Sequence, residues 1–77
     1  MDRVRLASWD FPSGNNAVLY LSTADAGGVR HLSFEWDDPP PLSPRDQVFY
    51  DRVVVPKAVR LVQEYTETLG PALHVRP

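Results

Sequence analysis

Apolar and polar residues alternate along the first half of the chain with the two-residue period of a strand. From Arg3 to Trp9 the alternation is weak, with Val4 and Leu6 on one face and Arg3 and Arg5 on the other, which predicts a strand with one wet side. Ala17 to Thr23 is apolar on both faces (Ala17, Leu19 and Leu21 against Val18 and Tyr20). That is the pattern of a central strand, covered by a helix on one side and by something else on the other. Val29 to Trp36 alternates clearly, with Leu32, Phe34 and Trp36 pointing one way and His31, Ser33 and Glu35 the other. Turn formers separate the three runs: Phe11-Pro12-Ser13-Gly14-Asn15-Asn16 and Ala24-Asp25-Ala26-Gly27-Gly28. A three-strand meander follows from this spacing.

The second half reads differently. Residues 37–46 form a proline-rich connection, and the consecutive prolines Pro39-Pro40-Pro41 remove donors and favour a stiff extended path. Gln47 to Val55 is rich in β-branched and aromatic residues and is read as a fourth strand. A competing signal sits just before it. Ser43-Pro44-Arg45-Asp46 offers a Ser cap, proline at the first helical position and an acid at the third, a fair helix start. From Pro56 to Leu69, Ala58, Leu61, Val62, Tyr65 and Leu69 recur at spacings of three and four, an amphipathic helix with Lys57, Arg60, Glu64 and Glu67 on its wet side. Arg60 and Glu64 are placed to pair along it. Gly70-Pro71 stops the helix, and Ala72 to Val75 can add a short edge strand. The expected fold is therefore α+β: one domain over residues 1–77, an antiparallel meander of three to four strands packed against one C-terminal amphipathic helix.

Composition narrows the function. A chain of 77 residues buries only about 60% of its unfolded surface, so a support such as a partner or a second copy is expected. There are no cysteines, which removes disulfides and thiolate metal sites, and no cofactor is expected. Net charge is -2, with one lysine and seven arginines and no basic stripe, so direct nucleic-acid binding is not expected. No apolar run approaches the ~20 residues needed to span a bilayer, and no apolar segment of a signal peptide follows Met1-Asp2-Arg3-Val4-Arg5. The expected location is the cytoplasm.

Candidate chemistry is sparse. His31, Ser33 and Glu35 share a strand face that Asp37 continues; the arrangement fits a carboxylate–histidine metal site, a Ser-His pair with an acid or, more plainly, a solvated face running into an acidic turn. Glu35, Asp37 and Asp38 surround Trp36, a composition suited to a basic protein partner, the alternative being that Trp36 joins Leu32 and Phe34 in the core. Trp9, on the Arg3 and Arg5 face and beside Phe11, forms either an interface patch or a second small core under a loop. Pro41-Leu42-Ser43-Pro44-Arg45 matches a PxxP ligand, a pattern common by chance in proline-rich segments.

The last third carries one resemblance. A strand ending in Val55-Pro56, the amphipathic helix through Leu69, and Thr68-Leu69-Gly70-Pro71 leading to a short terminal strand resemble the C-terminal end of a bacterial immunity-protein family encoded beside polymorphic toxins, and the meander from Ala17 to Trp36 is compatible with it. In that family a Val-Pro opens the helix and a Thr-Gly-x-x-Pro segment closes it before a final strand ending in tryptophan. Here Pro71 follows Gly70 directly and no tryptophan follows Val75. The resemblance implies a toxin-neutralising binding protein without catalytic residues. The expected function is thus a non-catalytic protein-binding module, an immunity-like inhibitor or regulator, using Glu35, Trp36, Asp37, Asp38, Trp9 and Phe11. The alternative is a self-assembling subunit, a homodimer in the simplest case.

Overall fold

The computed structural model describes residues 3–76. Three strands, β1 (Arg3–Asp10), β2 (Asn16–Ser22) and β3 (Arg30–Trp36), form the antiparallel meander. A short β4 (Leu73–Val75) completes a sheet of order β1-β2-β3-β4 and runs parallel to β3. The parallel sense follows from the connection: a long helical run carries the chain back along the sheet before β4 begins.

That run holds the main correction. Segment 47–55 is helical, not a strand. Helix α1 (Pro44–Phe49) passes into a π-helical turn (Tyr50–Val54) and then into α2 (Val55–Leu69). The Ser43 hydroxyl accepts the Asp46 N–H at 3.2 Å, and Pro44 opens the helix, so the start signal outweighs the β propensity of the valines. Pro56, expected in the first turn of a separate helix, lies inside the run. Its ring cannot donate to the carbonyl four residues back and crowds it. The wider turn just before it, where Val55 N–H reaches the Tyr50 carbonyl, lets the helix continue through the proline. Gly70, with φ of 55°, ends α2.

Ala58, Leu61, Val62 and Tyr65 of α2 pack on Leu19, Leu21, Leu32 and Phe34 of β2 and β3, as their spacing predicts. Arg60 and Glu64 make no ion pair; among the described residues the ion pairs are Arg3–Glu35 and His31–Asp25. A second cluster forms around Phe11, Ala17 and Val54. Six rings, Trp9, Phe11, Phe34, Trp36, Phe49 and Tyr50, meet there with centroids 5.0–6.3 Å apart in tilted pairs.

A bulge in β1 decides which side chains join this core. Val4 and Arg5 pair with Leu21 and Tyr20, but Ala7 pairs with Leu19, leaving Leu6 as the extra residue. Leu6 and Ala7 both pack on the helix side. Strict alternation would set Trp9 with Arg3 and Arg5. The extra residue instead moves Trp9 to the helix side, opposite Ala17.

Candidate functional site

With α2 on one face, the other face of the sheet carries Arg3, Arg5 and Ser8 from β1, Val18 and Tyr20 from β2, His31, Ser33 and Glu35 from β3, and His74 from β4. Among the described residues no helix or strand packs over it. The Arg3 guanidinium lies 3.7 Å above the centroid of the Tyr20 ring and reaches across β2 to the Glu35 carboxylate. That hydrogen bond, and then the nearby positive charge, hold the Glu35 carboxyl below the usual carboxylate range. Three strands are thereby linked by one layer of cation, ring and carboxylate.

A second group lies where β2 turns into β3. The Asp25 carboxylate accepts the N–H groups of Gly27 at 2.8 Å and Val29 at 3.0 Å, and Gly28 supplies a φ of 79°. Its other oxygen is 3.2 Å from His31 Nε2. The Val29 N–H first, then the His31 side chain, hold the Asp25 carboxyl below its ordinary range. The His31 ring meets His74 edge-on at 5.4 Å between centroids, and its Nδ1 is buried without a hydrogen-bond partner. The Ser22 hydroxyl accepts the His31 N–H at 2.9 Å. A half-open cleft of about 350 Å³ runs beside this group, lined by Arg3, Ser22, Asp25, His31, Ser33 and Arg76 among others.

His31, Ser33 and Glu35 do share one face, as their alternation predicts, but His31 is held by Asp25 and Glu35 by Arg3. Among the described residues no group of three or more His, Cys, Asp or Glu side chains is placed to hold a metal ion. The acidic set around Trp36 is divided by the same alternation. Trp36 turns to the helix side between Phe11 and Tyr50, at 5.6 and 5.9 Å, whereas Glu35 lies on the open face. Asp37 and Asp38 are exposed at the end of β3; Asp37 N–H bonds the Asn16 carbonyl, and Asp38 is clamped through its backbone by the Asn15 amide. Phe11 is 4% exposed and Trp9 half-buried, so both serve the aromatic core. Within Pro41–Arg45, Leu42 packs on that core and Ser43 caps α1, so the fold itself uses the motif.

The pairing of Arg3 with Tyr20, and of Asp25 and His74 with His31, escaped the sequence reading. A signal was present for the hairpin: extending the turn around Asp25-Ala26-Gly27-Gly28 outward brings Ser22 opposite His31. Nothing local announces the meeting of β1 with β3 side chains across β2. No protein-family model, curated protein or solved structure gives a match to this chain.

Proposed function

We propose that the chain is a non-catalytic protein-binding module that presents the open sheet face to its partner. The observation that carries this reading is the layer formed by Arg3, Tyr20 and Glu35, set on a rigid sheet and left uncovered by any described element. Arginine and tyrosine are the residue types that most often anchor protein interfaces, because each offers apolar area and directional hydrogen bonds at modest entropic cost. Arg5 and His74 are exposed on the same face and extend it.

An immunity-like inhibitor is the form that the C-terminal resemblance implies, and a stoichiometric complex is its mode of action. A helix through Leu69 and a short terminal strand are compatible with it, whereas the strand it expects to end at Val55-Pro56 is helical here, a departure from the family's pattern. The partner-facing role moves from Trp9, Phe11 and Trp36, which the core absorbs, to Glu35 and its neighbours on the open face.

The test is binding by the tagged full chain and its surface variants, with the captured partner then purified and titrated. Tyr20→Ala and Arg5→Glu are expected to abolish the complex, while Arg60→Ala, on the exposed side of α2, leaves it intact. A partner held equally well by all three variants overturns the assignment to this face.

A further inference from the structure

β1 is an eight-residue edge strand whose only strand partner among the described residues is β2. It contains no proline or lysine; its charges, Arg3, Arg5 and Asp10, are of opposite sign, its bulge leaves outward-facing backbone groups on both sides of Leu6, and Val4 on it is 50% exposed. The bulge sets which backbone groups face outward. Phe11 N–H donates to the Asn15 carbonyl, so Phe11, Trp9 and Ala7 turn toward β2, and Ser8 and Asp10 turn away. Beyond Leu6 the order reverses: Val4 pairs with Leu21, of the same β2 set as Leu19 and Ala17, leaving Arg3 and Arg5 facing outward.

We propose that two copies of the chain pair antiparallel along β1, with Arg3 opposite Asp10 and Arg5 opposite Ser8, merging two four-stranded sheets into one. This register uses the whole strand, and every residue it pairs for hydrogen bonding is one whose N–H and C=O already point outward. Side chains agree with it on both faces. On the helix side the exposed Val4 meets Trp9 of the second copy, and Leu6 meets Ala7. On the open side Asp10 lies opposite Arg3 and diagonal to Arg5, within reach of a long side chain. Arg3 is engaged by Glu35, whereas Arg5 and Asp10 make no ion pair within the chain among the described residues, so each supplies the charge the other lacks. The association gives this small domain a larger core and leaves Tyr20, Ser33 and His74 of the open face free; Arg5 belongs to both readings, so Tyr20→Ala, away from the β1 edge, distinguishes them: it removes partner binding and leaves the doubled mass.

Sedimentation equilibrium of the full chain tests it. The average mass is expected to rise with concentration from 8.7 kDa toward twice that value. Arg5→Asp and Asp10→Arg each set like charges together and are expected to remain monomeric. Hydrogen exchange of the native chain gives a readout free of substitutions: the Arg3, Arg5, Ser8 and Asp10 amides gain protection at high concentration. A native chain that stays monomeric into the millimolar range overturns the proposal. So do dimers that survive in both single variants, or unchanged exchange at those amides.

Discussion

The Asp46 carboxylate, 3% exposed, accepts the Ser13 N–H at 3.2 Å and is also hydrogen-bonded by the Ser13 hydroxyl. One buried charge at the start of the helical run thus holds the β1–β2 loop, while Asn15 in that loop clamps Asp38 at the end of β3. In a capping box the acid at this position reaches back to its own cap; here it reaches to another element. Removing it deletes both hydrogen bonds from Ser13, so Asp46→Ala is expected to cost about 1.5–3 kcal/mol, the usual worth of hydrogen bonds to a charged group. Urea unfolding followed by circular dichroism measures the difference.

Leu61 is 9% exposed between α2 and the strands. Truncating such a leucine typically costs about 2–5 kcal/mol. A domain of this size has a total stability of about 4–12 kcal/mol at typical values per residue. Leu61→Ala is therefore expected to lower the melting temperature sharply and to populate unfolded chains at 37 °C, a temperature chosen for the assay. An unchanged melt contradicts the packing of α2 on the sheet.

Trp36 separates a core role from an interface role. Its ring lies among Phe11, Phe34 and Tyr50, so Trp36→Ala is expected to destabilise the fold, toward the lower end of about 3–5 kcal/mol because the ring is only half-buried. Tyr20→Ala, on the open face, is expected to leave the unfolding midpoint closer to that of the native chain. Thermal melts of the two variants side by side check the order.

Asp25 and Glu35 make the fold sensitive to acid. Both carboxyls lie below their ordinary values in the folded chain, so the unfolded chain binds protons first as pH falls. Their contribution is complete above the unfolded carboxylate range, near pH ~4, and is lost as pH drops through the depressed folded values. The double variant Asp25→Asn, Glu35→Gln is expected to lose less stability between neutral and acidic pH than the native chain. Denaturant midpoints at the two pH values give the comparison.

The strand pattern, the two turns and the α2 stripe were legible because each depends on neighbours within a few residues. Alternation placed Leu32, Phe34 and Trp36 on one face and His31, Ser33 and Glu35 on the other, and the structure keeps both sets. Segment 47–55 was misread because β propensity and a helix start compete there. Packing of Phe49, Tyr50 and Val54 against Phe11 and Trp36 favours the helix, and no local window contains those partners.

The candidate site divides in the same way. Sequence alone determined that Glu35 shares a strand face with His31 and Ser33, since side chains of a strand alternate whatever surrounds them. Only the tertiary structure decided that Arg3 crosses Tyr20 to reach Glu35, that His74 returns beside His31, and that Trp9 enters the core. Each of these rests on a strand register, a crossover or a one-residue bulge. A shift of one residue at any of them reverses a face, and the choice is made by the free energy of packing distant segments together.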